Sequence, residues 1–204
     1  MQSIKFKMTG VCPLMLNNPQ TVNPMNEYSK ALKELTSKRS KTDEDQNEIF
    51  HLKFLASCYV NNKGQYIIPA NMIMKSFQAA SKENRLGAKF ERSVFVFNDS
   101  LLKFDENGCS PEELWQNFSD KYVDIRPVGV QKAKIVTARM IVPKWSLEGE
   151  LFYDDSQLNK SEIILAMQNA GSRYGIGTYR ACYGRYQIEI QDKVKISKAK
   201  MREA

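Results

Sequence analysis

The chain has 204 residues, 42% of them hydrophobic, and a formal net charge of +7. That length and composition suit a folded chain with its own core and exclude a disordered or low-complexity one. No apolar run approaches the length of a membrane span, and the alternating N-terminus lacks the apolar centre of a secretion signal, so a cytoplasmic protein is expected.

Residues 3–9 alternate, with Ile4, Phe6 and Met8 on one face, which predicts a half-buried strand extended by residues 11–16 with Pro13 as an interruption. Residues 17–26, rich in asparagine and proline, predict a loop. Residues 27–35 repeat Tyr28, Ala31, Leu32 and Leu35 at helical spacing, and Thr42 before an acidic turn starts a second helix, so residues 17–53 are expected to form an inserted helical hairpin. A β-hairpin is expected over residues 57–60 and 65–68 around Asn61-Asn62-Lys63-Gly64, followed by a helix from Ala70 or Asn71 to about Glu83. Residues 85–89 are expected as loop, 93–97 and 101–104 as strands, and 109–118 as a helix capped by Ser110. Residues 132–142 and 146–153 are expected to pair as antiparallel strands through Pro143-Lys144. An amphipathic helix over 158–170 should close at Gly171, and residues 183–190 should form the last strand. Without the insertion the order is βαββαβ. The expected class is therefore α+β: a ferredoxin-like, RRM-like domain over residues 1–191, with an antiparallel sheet covered by helices on one side and a basic flexible tail over 192–204. The open face of such a sheet is a common nucleic-acid platform.

The positive charge is concentrated. Residues 121–144 hold six basic residues against one acidic, and residues 171–202 hold eight against two, so the remainder is net acidic. Such asymmetry suits a polyanionic partner. Residues 171–186 combine Gly171, Gly175, Gly177 and Gly184 with Arg173, Arg180 and Arg185 and four tyrosines. Glycine lets backbone amides approach a phosphate, arginine offers a forked donor to phosphate oxygens, and tyrosine offers a ring for base stacking. The order helix–loop–strand excludes a Rossmann turn, and no Walker pattern is present.

This ending resembles the RAMP superfamily, the repeat-associated proteins of CRISPR effector complexes, whose signature is a glycine-rich loop between the last helix and last strand of a ferredoxin-like domain. Tyr66-Ile-Ile-Pro-Ala-Asn-Met-Ile-Met-Lys75 is similar to the I-P-G-S-S-L-K-G strand-to-helix entry of the crRNA-binding backbone subunits. Ala70 replaces the glycine there, and Met74 and Ser76 depart from the pattern. Residues 132–145, with Arg139 and Trp145, resemble the central basic strand of those subunits, and uncharacterised phage and mobile-element proteins share the ending. The resemblance implies sequence-independent RNA binding by Lys75, Lys132, Lys134, Arg139, Arg173, Tyr174, Gly175, Gly177, Arg180, Gly184 and Arg185. It also implies self-association or assembly with other effector subunits in antiviral defence.

Catalytic signals are sparse. His51 is the sole histidine and falls in the insertion; acidic pairs such as Asp105/Glu106 and Asp154/Asp155 fit turns and helix starts. The cysteines, Cys12, Cys58, Cys109 and Cys182, form no CxxC pair and are expected as reduced thiols. No cofactor and no intrinsic active site are expected. Two other readings stay open: a phage or mobile-element protein that docks onto a host complex as an inhibitor or structural subunit, and a metal-independent endoribonuclease using His51 or Tyr174.

Overall fold

In the computed structural model, which describes residues 1–130, 133–180 and 182–191, the N-terminal alternation builds β1 (Gln2–Gly10), an inner strand of a four-stranded sheet. Its neighbours are β8 (Ser146–Tyr153) on one side and β9 (Tyr186–Ile190) on the other, with β4 (Val94–Phe95) beyond β8; the order is β4-β8-β1-β9 and every pairing is antiparallel. Ile4 and Met8 lie opposite Leu151 and Leu147, and all four are fully buried. Two helices supply the matching apolar surface. α3 (Ala70–Ser81) presents Ile73, Phe77 and Ala80, with Phe77 edge-on to Phe6 at 5.6 Å. α6 (Lys160–Asn169) presents Ile163, Ala166 and Met167.

A second sheet has the order β2-β7-β6, with β2 (Leu14–Met15), β6 (Val123–Val130) and β7 (Ala133–Val142). It corrects two expectations. Residues 11–16 do not prolong β1: Gly10 ends it, and the chain steps at Cys12-Pro13 into the second sheet, where Leu14 pairs with Val142. Strand β7 pairs with β6 and β2 rather than with β8. Trp145 makes the switch between sheets. Its carbonyl accepts from Gly10 N–H at 2.9 Å and its indole N–H donates to the Cys12 carbonyl at 3.0 Å, seating β8 beside β1.

The inserted hairpin forms as α1 (Glu27–Thr36) and α2 (Asp43–Ser57), the latter started by a reciprocal Thr42–Asp45 capping box. α2 runs on to Ser57, the residue expected to begin a strand, and Ser57 has a packing role: its hydroxyl donates to the Phe54 carbonyl and accepts from Met140 N–H at 2.8 Å, fastening α2 to β7. The expected 57–68 hairpin shrinks to a bridge between Val60 and Tyr66 around the Asn61–Gly64 turn. Ile67–Ile68, as β3, pairs instead with β5 (Ser100–Leu101). The expected loop at 85–89 is largely helix, α4 (Gly87–Ser93): Arg85 takes a left-handed conformation that turns the chain, and Phe90 is buried. α5 (Pro111–Tyr122) starts at the Ser110–Glu113 capping box as expected but continues through an irregular residue at Phe118. α6 does not close at Gly171. It widens into a π turn over Ala170–Tyr174, and Gly175 (φ 66°) caps it. The class is α+β with antiparallel sheets.

Candidate nucleic-acid interface

β6 and β7 form a ribbon in register from Val123↔Met140 to Val130↔Ala133. Pro127 is accommodated because β6 is an edge strand whose outer side carries no ladder. The register sets Asp124 opposite Arg139 and Arg126 opposite Thr137 on one side of the ribbon, while Ala138 and Met140 on the other side are buried. On the first side the ribbon meets two tyrosines of the glycine-rich loop. The Arg126 guanidinium forks onto the Asp124 carboxylate and donates to the Tyr183 hydroxyl at 2.9 Å. It lies 5.1 Å from the Tyr183 ring and 5.7 Å from the Tyr179 ring, and Arg139 lies 5.4 Å from the Tyr179 ring. These are cation–π distances. Asp124 also holds the Arg126 guanidinium above its already high ordinary pKa. Nε of Arg139 is buried and has no hydrogen-bond partner among the described residues.

The loop is bound tightly to the rest of the protein. Gly184 N–H donates to the Pro13 carbonyl, Ile176 N–H to Gly184, Thr178 N–H to Met15, and Gly175 N–H to Ala170, all within 2.8–2.9 Å. Arg185 N–H donates to the Cys12 thiol at 3.2 Å, and the Arg185 carbonyl accepts from Val11 N–H. Ser76 reaches in from α3, its hydroxyl donating to the Gly175 carbonyl at 2.8 Å and meeting the Tyr186 hydroxyl at 3.1 Å. Burial pushes the Tyr186 phenol well above its ordinary pKa. Two glycines are fixed by this packing. A Cβ on Gly184 (φ 72°) would sit 1.9 Å from the Ile176 carbonyl oxygen, and one on Gly177 (φ 82°) would sit 2.4 Å from that of Met15. The role expected of the loop amides is thereby revised: those of Gly175 and Gly184 close the fold instead of presenting donors to a phosphate. Tyr179 adopts φ 52°, a left-handed conformation shared among described non-glycine residues only with Arg85, and is 38% exposed. Backbone strain of this kind concentrates at binding and catalytic sites.

The expected residues divide into groups. Arg139 belongs to the arginine–tyrosine cluster, and the exposed Arg180 adjoins it through the bridge between Arg180 and Tyr183. Arg173 and Tyr174 are drawn elsewhere: Arg173 pairs with Glu83 at 2.6 Å, and the Tyr174 hydroxyl donates to the same carboxylate at 3.1 Å. Lys75 is exposed on α3, next in sequence to Ser76. Lys134 is exposed near the tip of the ribbon, opposite Gly129. Arg185 is exposed. Lys132 lies outside the described residues, as does the tail over 192–204. Sequence reasoning passed over Arg126, Asp124, Tyr179 and Tyr183 as site residues. The four loop tyrosines were a usable signal, but which of them meet the ribbon depends on strand register.

The open face of the four-stranded sheet is of mixed charge. It carries Lys5 and Lys7 against Glu148, Glu150 and Glu189, with Glu150 opposite Lys5 and both Glu148 and Glu189 opposite Lys7. His51 rests on Trp115 at 5.0 Å, with Nε2 at 2.8 Å from Glu112 and Nδ1 at 3.4 Å from Glu48, all on α2 and α5. Cys12, Cys58, Cys109 and Cys182 are all free thiols, and burial pushes that of Cys58 up to about 12. Among the described residues no group of three or more His, Cys, Asp or Glu is placed to hold a metal ion, and no helix is long and apolar enough to cross a membrane.

No protein-family model matches the chain, and no curated protein matches it. Among solved structures, the chain is similar to the crystal structure of Cmr6 from Pyrococcus furiosus, with 14% sequence identity, coverage of 91% of this chain and 97% of that one, and a TM-score of 0.38.

Proposed function

We propose that this protein binds single-stranded nucleic acid, most naturally RNA, without regard to sequence, and that it acts by binding rather than through a catalytic centre of its own. The observation that carries the reading is the meeting of two basic segments distant in sequence. Arg126 and Arg139 of the ribbon stack on Tyr179 and Tyr183 of the glycine-rich loop, with Arg180 exposed beside them. Guanidinium groups supply phosphate contacts and tyrosines supply faces on which bases stack. We read the frame as ferredoxin-like. Support comes from the strand order β4-β8-β1-β9, with α3 following β1 and α6 preceding β9. On this reading the residues resembling the RAMP superfamily, 66–77 and 171–186, are joined by the Ser76 contacts, and partners of the effector-subunit type are expected.

The test is fluorescence anisotropy with two unrelated single-stranded RNA oligonucleotides over a series of salt concentrations. Replacing both Arg126 and Arg139 by alanine should weaken binding about tenfold or more, equally for the two sequences, and should lower the salt slope by about 1.4. Unchanged affinity in a variant that retains the parent's melting temperature would overturn the proposal.

A further inference from the structure

We infer a second interaction surface, on the opposite chemical principle, at the β4 edge of the open sheet face: a docking site for a protein segment carrying an apolar anchor flanked by lysine or arginine. Three phenylalanines gather there. Phe95 and Phe152 face each other across the β4–β8 pairing. Phe97, just past β4, stacks on Phe95 with ring centroids 5.7 Å apart and planes 7° from parallel, and lies 5.3 Å from Phe152. Phe97 is 61% exposed. A ring so exposed yet held in place by two others is a preorganised apolar surface, because its rotamer freedom is already restricted before a partner arrives. The core does not require it: the buried side of the same strands is filled by Val94, Leu147, Leu151 and Tyr153.

Charge selects the kind of partner. On a chain of net charge +7, this face carries more carboxylates than ammonium groups. Glu150, Glu148 and Glu189 outnumber Lys5 and Lys7 across the paired strands, and Lys103 is already engaged with Glu148 at 3.1 Å. At the end of β8 beyond Phe152, Asp155 is exposed and Asp154 is partly so. Hydrogen bonds from the Ser156 side chain and backbone, with a smaller contribution from the nearby N-terminal ammonium, hold the Asp154 carboxyl below its ordinary pKa. A basic segment with one aromatic or aliphatic side chain fits both the ring surface and the carboxylate rim. The site shares no residue with the arginine–tyrosine cluster, so it stands whether or not that cluster binds nucleic acid.

The probe is a short synthetic peptide with a central tryptophan flanked by lysines, compared with the same peptide flanked by glutamates, titrated into the full chain and followed by amide chemical shifts. The lysine peptide should shift amides of β4 and β8 around Phe95 and Phe152. Phe97→Ser should weaken it about tenfold, and Glu150→Lys should weaken it while improving the glutamate peptide. Both substitutions are at side chains outside the buried core, and an unchanged melting temperature confirms the fold. Equal binding of the two peptides, shifts mapping elsewhere, no saturable binding by the parent, or full affinity in Phe97→Ser would each overturn the inference. So would a self-associated parent that Phe97→Ser converts to monomer, since the occupant would then be a second copy.

Discussion

In the loop over residues 171–186, backbone amides are tied to the 11–15 segment, to α6 or to one another, and even the side chain of Ser76 reaches in to hold it. In the β6–β7 ribbon the backbone is a plain two-stranded ladder with an open outer edge, and the side chains Arg126 and Arg139 reach across to the loop. The two basic regions therefore divide the work: the loop supplies a fixed wall of tyrosine, and the ribbon supplies the guanidinium groups laid against it. A glycine-rich loop is commonly read as a place where ligand comes close to backbone. Here the backbone that comes close is the protein's own.

Glycine substitutions give the sharpest break between the regions. Gly184→Ala places a methyl 1.9 Å from the Ile176 carbonyl oxygen at a positive φ, and should cost about 3 kcal/mol or more, lowering the melting temperature by roughly 6–12 °C. Gly129→Ala on the ribbon meets nothing within 4 Å and should change stability by less than about 0.5 kcal/mol. Scanning calorimetry on the pair checks this. Equal melting temperatures would show that the loop yields where its contacts say it cannot.

Next in size is Ser76→Ala. The hydroxyl is fully buried and serves both the Gly175 carbonyl and the Tyr186 phenol. Its loss leaves two buried polar groups a partner short, at a cost of about 1–3 kcal/mol. Hydrogen exchange should quicken at Gly175, Ile176 and Gly184 while the ribbon amides keep their rates. Uniform quickening would mean that Ser76 supports the whole domain and not the loop in particular.

Ser76 also illustrates what the sequence made legible. Strand β1 could be read because Ile4, Phe6 and Met8 alternate, and the starts of α2 and α5 because Thr42 and Ser110 carry capping-box partners three residues on. These signals are local. Helix ends were less visible: α2 outlasts its expected stop because Ser57 bonds to Met140, 83 residues away, and at Gly171, where α6 gives way to the π turn, the missing side chain admits the backbone and ring of Tyr186. The pairing of β7 with β6 was hidden for the same reason, since β8 carries Leu147 and Leu151 to match β1 and no residue near Pro143 announces the exchange of sheets. In the candidate site, residue types were readable and partners were not. Arg139 and the tyrosine-rich loop stood out, but Glu83 drawing off Arg173 follows from a contact between residues far apart in sequence, and the Asp124–Arg126 pair, two residues apart, is set on one face only once residues 123–130 are known to be a strand. Ser76, which departs from the family pattern in sequence, proves to be the side chain that joins the two resembling segments.

Asp124 offers the finest adjustment of the comparison, because it is the one acidic residue in residues 121–144 and lies within the arginine–tyrosine cluster. Its carboxylate occupies the Arg126 fork as a phosphate would, and Arg126 is about one third exposed. A nucleic-acid phosphate seeking that fork must therefore displace a carboxylate already in place. Asp124→Asn preserves the shape and removes the competing charge, so affinity for single-stranded RNA should rise about two- to fivefold at low ionic strength, the scale of a partly exposed ion pair. The gain should shrink as salt screens the lost charge. Glu83→Gln is the matching change on the loop: it releases Arg173, which is 61% exposed at its side chain and stands outside the cluster, so the gain should be smaller. A loss of affinity in Asp124→Asn would reverse the assignment, making the carboxylate the group that aims Arg126 at its ligand and the ribbon a surface whose geometry matters more than its charge.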